Sequence, residues 1–145
     1  MLAVVPTVAL LALAACDRER TIVAPAGPLT VVDAWARPAD SGSTAGAYVT
    51  LTNTDSVDVS IGALWAAAAP LVQLHETMPR DGMAHMIARP NLQIRRDSTL
   101  AMVPGGLHIM LMDLTRALRI GDTVHLTLTL TDGRTVPVAA AVRAP

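Results

Sequence analysis

Phenylalanine is missing from this sequence, tyrosine occurs once and tryptophan twice, so aromatic packing rests on Trp35, Tyr48 and Trp65. These three are the expected large groups of an otherwise aliphatic core. Lysine is missing as well. All 11 basic residues are arginines, scattered along the chain and set against 12 acidic residues for a formal net charge of −1. There is no basic stripe for a phosphate backbone and no Gly-rich phosphate loop after a strand pattern, which argues against a nucleic-acid partner. Cysteine occurs once, at position 16, where it closes an apolar N-terminus. With that residue committed and no serine in a nucleophile-elbow pattern, the chain reads as a non-enzyme with no small-molecule substrate. Its 145 residues suffice for one domain with its own core and not for two comfortable ones.

What is present begins with "MLAVVPTVALLALAAC", an uncharged apolar run of 15 residues ending in Cys16. A bilayer core needs about 20 apolar residues, so the run is expected to be a secretory signal rather than a membrane span. Its end, Leu13-Ala14-Ala15-Cys16, resembles the lipobox of bacterial lipoproteins. That resemblance implies cleavage before Cys16 and lipidation of the cysteine, giving a membrane anchor in which each buried methylene contributes about 0.8 kcal/mol. Asp17 resembles the residue that retains lipoproteins in the inner membrane of enteric bacteria, which points to the periplasmic face of that membrane. Residues 17–28, "DRERTIVAPAGP", mix charge with proline and glycine as a tether would. The expected organisation is a signal peptide at 1–15, a lipidated cysteine and tether at 16–28, and a β domain at 29–145.

From Leu29 onward the hydrophobic period is two. "LTVVDAWA", "AYVTLTN", "VDVSIGALW", "LVQLHET", "LHIMLM", "TVHLTLTL" and "TVPVAAAV" are short, alternating or β-branched, and separated by turn residues such as Pro104-Gly105-Gly106, Gly121-Asp122 and Asp132-Gly133. The pattern predicts an all-β domain, an antiparallel cupredoxin-like or immunoglobulin-like sandwich or a small barrel. Clustered alanines over Ser60–Ala69 leave room for one helix. In "TVHLTLTL", His125 alternates with the Val124, Leu126, Leu128 and Leu130 row and is expected at the surface.

The same alternation in "GGLHIMLM" puts His108, Met110 and Met112 on one face of a strand, with Ile109 and Leu111 on the other. One face is apolar and the other can coordinate. Further soft residues stand in "LHETMPRDGMAHMIARP": His75, Met78, Met83, His85 and Met86. Ten residues separate His75 from Met86, 21 separate Met86 from His108, and one separates His108 from Met110. With 4 histidines and 7 methionines in 145 positions, random placement would give this four-point spacing with an expectation on the order of 2 in 10,000.

This His-x10-Met-x21-His-x-Met spacing, with "DAWARP", "GAYVTLTN", "LHET", "PGGLHIMLM" and "GDTVHLTLTL" around it, resembles the PCu(A)C-type periplasmic copper chaperones over nearly the whole stretch from Val31 to Val142. The resemblance implies Cu(I) ligation by His75, Met86, His108 and Met110. The chemistry is consistent with that set, because uncharged polarizable thioethers favour Cu(I) over Mg²⁺, Ca²⁺ or Zn²⁺. A blue-copper redox site would need a thiolate, and Cys16 lies in the lipobox. Each imidazole must be neutral to coordinate, so binding should weaken as pH falls through the histidine range near 6.5.

The remaining soft residues are expected to be subsidiary. Met78 and Met83 are read as loop or packing methionines, with extending or shielding the site as the alternative, Met112 as packing beside the ligands and Met102 as core. His85 adjoins Met86 and should point away from it in an extended segment, and Glu76 is expected to support rather than catalyse.

The resemblance further implies delivery of copper to an accepting protein, toward the CuA subunit of cytochrome c oxidase, directly or through a Sco-type partner. Some relatives add Cu(II) binding on a His- and Met-rich C-terminal extension. This chain ends in "AVRAP", and such a second Cu(II) site is not expected. The alternative class is a lipid-anchored β-sandwich serving as an interaction or structural module, with the methionines as packing and no metal role.

Overall fold

The structure, a computed structural model, describes residues 27–145. The signal segment, Cys16 and the tether through residue 26 lie outside the described residues. Ten strands follow in order: β1 (Leu29–Ala36), β2 (Ala45–Asn53), β3 (Val59–Ala66), β4 (Leu71–Arg80), β5 (Met83–Ala88), β6 (Leu92–Ile94), β7 (Thr99–Ala101), β8 (Leu107–Met112), β9 (Thr123–Leu130) and β10 (Thr135–Val142). Among the described residues there is no helix. The alanine-rich stretch is strand β3, which β9 pairs on one side and β6 on the other; Val59 and Ile61 enter the core, and the chain reverses at an Ala66–Ala69 bridge.

Neighbouring strands run β5-β4-β8-β2-β1-β10-β9-β3-β6, with β7 pairing β2 beside β8. Only the β1–β10 pair is parallel; every other ladder is antiparallel. Inward residues from both halves of this sheet meet in one aliphatic core: Leu74, Ile109, Leu111, Val49 and Leu51 from one, Ile61, Leu126, Leu128, Val136 and Val138 from the other. The all-β, antiparallel-dominated architecture is the one the period of two predicts. Strand β10 shows the reason most plainly, with Val136, Val138, Ala140 and Val142 buried and the intervening residues exposed.

The aromatic residues depart from expectation. Trp65 is 60% exposed on the outer face of β3. Trp35 and Tyr48 are buried, yet they lie on the outer side of the sheet, because β1 carries a bulge. Val32 pairs with Thr50 and Trp35 with Tyr48, so three steps on β1 match two on β2. Asp33, with φ of 51°, takes up the extra residue. Strict alternation from Leu29 and Val31 would send Trp35 inward. The bulge instead turns Ala36 to the core and Trp35 out beside Tyr48. The central hydrophobic cluster then holds no aromatic ring, and two of the three large rings pack on the other face.

Candidate metal centre

The site is built on that outer face. In β8, Ile109 and Leu111 fill the core, so His108, Met110 and Met112 must project away from it. Strand β4 alternates in the same phase: Leu74 is buried, and His75 and Thr77 share the outer face. Antiparallel pairing sets His75 directly opposite His108 and Gln73 opposite Met110. The two imidazole centroids are 6.2 Å apart. Two residues 33 positions apart in sequence are thus brought side by side by strand register.

Each ring has one nitrogen engaged and one free. His108 Nδ1 lies 2.8 Å from the carbonyl oxygen of Gly106, an oxygen that can only accept, so this nitrogen carries the proton and Nε2 keeps its lone pair. The same carbonyl accepts the Thr77 N–H at 3.1 Å, which ties the ring's orientation to β4. Val103 to Gly106 form a type II turn, with Pro104 and a left-handed Gly105 at φ 78° in the central positions and a Gly106 N–H bond to the Val103 carbonyl. His75 Nε2 meets the Gln73 Oε1 at 3.1 Å. Its Nδ1 is buried and has no hydrogen-bond partner. An orphaned buried acceptor costs about 1–3 kcal/mol, which a bound cation would offset. Burial, and secondarily the neighbouring His108, hold the His75 pKa below its ordinary 6.5 and keep the ring neutral.

Met86 arrives from the edge strand β5. The β4–β5 hairpin closes through Asp81-Gly82, both left-handed at φ 53° and 76°, a type I′ turn that fixes the register. Met86 therefore lies opposite Thr77, on the same face as His75 and His108. The small Thr77 side chain lets the thioether lean over β4, and Met86, Thr77, His108 and Met110 line one shallow depression of about 310 Å³. Arg37, Thr44, Gly46, Tyr48 and Gly105 complete it; Arg37 is the only charged residue there, and no carboxylate lines it. Met86 is 60% exposed, whereas His108 is 6% exposed. These soft side chains thus grade from a fixed imidazole to an open thioether.

Behind them runs a row of rings. Tyr48 lies 6.4 Å from His108 and 4.5 Å from Trp35, centroid to centroid. The Arg143 guanidinium covers Trp35 at 5.0 Å and also pairs with Asp33, the bulge residue. The Tyr48 hydroxyl fits over Gly46, where any Cβ would approach it to 2.8 Å. Sequence reading placed these rings in the core and so missed the outer row. A single Asp in the middle of an otherwise alternating β1 was the available signal.

The other soft residues separate from this face. Met78 and Met83 lie on strands rather than in a loop, and they point with His85 to the opposite side of the hairpin, so neither extends nor shields the depression. His85 does turn away from Met86. Met112 shares the outer face one step beyond Met110, Met102 is buried, His125 is exposed, and Glu76 is ion-paired to Arg89. No group of three His, Cys, Asp or Glu side chains capable of holding a metal converges among the described residues.

Comparison with known proteins bears out the expected PCuAC-type class. Residues 29–142 match the family model described as "Putative lipoprotein LpqE-like", and the chain belongs to that LpqE-like family. It is 40% identical over 114 residues to the protein named "Putative lipoprotein Lxx21020" of Leifsonia xyli subsp. xyli, covering 78% of this chain and 68% of that one. Among solved structures, the copper-bound PCuAC domain from PmoF2 is similar in fold, with a TM-score of 0.69 at 23% identity, over 83% of this chain and 97% of that one. The Cu(I) form of DR1885 from Deinococcus radiodurans has a TM-score of 0.61 at 37% identity, over 81% of each chain.

Proposed function

We propose that this protein is a copper chaperone that holds Cu(I) through His75, Met86, His108 and Met110 and passes it to an accepting protein. The observation that carries the reading is the pairing of two imidazoles, each with one nitrogen tied and one free, beside a depression that His108, Met86 and Met110 line and no carboxylate enters, His75 standing next to it rather than in its lining. Hard cations find no oxygen anion there, and zinc finds no thiolate; a soft monovalent ion fits. The Cu(I)-loaded DR1885, 37% identical to this chain, supports the same cargo.

Copper is the cargo here, so the useful property is exchange rather than turnover. The histidines are held by Gly106 and Gln73 and anchor the ion. The exposed Met86 on an edge strand is the donor an acceptor's ligand would replace first. The lipoprotein names of the family and of the Leifsonia relative support export and lipid anchoring, which we assign to Cys16 at the periplasmic face of the inner membrane. The accepting protein is the CuA subunit of cytochrome c oxidase or a Sco-type intermediary.

Anaerobic titration with Cu(I) against a competing chelator tests the reading. Met86→Leu and Met110→Leu should keep the fold, because Leu and Met exchange at little packing cost, and each should weaken Cu(I) binding at least tenfold. Wild-type affinity in both folded variants would overturn it, and would favour an interaction module in which the methionines only pack.

A further inference from the structure

The hairpin that brings Met86 to the front carries a second set of soft donors on its back. Register pairs Met78 of β4 with His85 of β5, and Arg80 with Met83. Residues opposite one another share a face, so Met78, Met83 and His85 project to the side away from the depression. Directly opposed side chains have Cβ atoms about 4.5–5.5 Å apart, and His85 stands two residues from Met83 on its own strand, about 7 Å away. Those spans suit two flexible thioethers and one imidazole closing on a single ion.

All three side chains are available. Met78 is 41% and Met83 62% exposed. His85 is exposed, and its ring makes no side-chain hydrogen bond among the described residues. The Met78 sulfur meets only the Arg89 guanidinium, at 3.8 Å, a contact weak enough to give way. Glu76 on this face is held in an ion pair with Arg89, and Asp81 at the turn is paired with Arg80, so the neighbouring carboxylates are neutralised and do not make the place a hard-cation site. Two methionines standing in water on a solvent-facing hairpin have no core to fill.

We propose that Met78, Met83 and His85 form a second binding site for a soft monovalent cation, Cu(I) or Ag(I), on the back of the β4–β5 hairpin. It has three donors in place of four, held by nothing stronger than the Arg89 contact to Met78, so it fills after the front site. Adjacent residues of the edge strand, His85 and Met86, serve opposite faces. The proposal does not require the front site to hold copper.

Titration of the full chain with silver nitrate, followed by NMR of methionine methyl and histidine ring signals, tests it. Two equivalents should be taken up, the second shifting Met78, Met83 and His85. In a Met83→Leu/His85→Gln double variant the second equivalent should be lost, while the Met86 and Met110 shifts stay as in the wild type and report an intact fold. In Met86→Leu/Met110→Leu the back-face shifts should persist, so failure of either site is read separately. Silver uptake that leaves Met78, Met83 and His85 unshifted, in the wild type and in Met86→Leu/Met110→Leu alike, would overturn the proposal.

Discussion

His75 and His108 stand opposite one another across β4 and β8, centroids 6.2 Å apart, one ring tied through Nε2 and the other through Nδ1. Their protonation forms are therefore unlike. The metal-free protein should show the Nε2–H tautomer at His75 and the Nδ1–H tautomer at His108 in long-range ¹H–¹⁵N spectra. Cu(I) should then shift Nδ1 of the first and Nε2 of the second. The same tautomer at both residues would contradict the hydrogen bonds described.

The depressed pKa of His75 sets a pH dependence. Its ordinary value, kept in the unfolded chain, is 6.5, and burial lowers it in the fold. Above 6.5 the ring is neutral in both states and costs nothing. As pH falls from there through the depressed value, the unfolded chain takes up the proton first, so this group's stabilising contribution is lost over that interval and then levels off. An NMR titration of the His75 ring should give a midpoint below 6.5, and denaturant unfolding should show stability decreasing on the acid side.

The bulge at Asp33 makes the two tryptophans unequal. Trp35, buried against Tyr48 and beneath Arg143, should cost about 3–5 kcal/mol when replaced by alanine. Trp65, 60% exposed, should stay within about 0.5 kcal/mol of wild type for the same change. Urea denaturation of the two variants decides this, and equal losses would place Trp65 in the core after all.

Gly46 leaves room for the Tyr48 hydroxyl, which a Cβ would meet at 2.8 Å. Gly46→Ala should push the ring aside, with an overpacking cost of about 1–3 kcal/mol. Because Gly46 also pairs with Met110, Cu(I) affinity should fall with it. Near-UV circular dichroism of the Trp35–Tyr48 pair and chelator competition read the two effects.

The β8 face could be read from sequence because its alternation is uninterrupted: apolar Ile109 and Leu111 inward, His108 and Met110 outward. The β4–β5 hairpin could not be read that way. Beyond Glu76 both of its faces are in solvent, so "TMPR" and "MAHMIA" carry no hydropathy contrast, and only Asp81-Gly82 marks the turn. The opposition of His75 and His108 is a matter of long-range register, which no local period encodes. Trp35 was misplaced because one extra residue in β1 reverses every later side chain on that strand.

X-ray absorption of the Cu(I)-loaded protein, with one equivalent bound, addresses the convergence of the four donors most directly. A single copper environment with two nitrogen and two sulfur neighbours is expected, and the sulfur contribution should diminish in Met110→Leu. A shell of nitrogen and oxygen alone, or of sulfur alone, would contradict it.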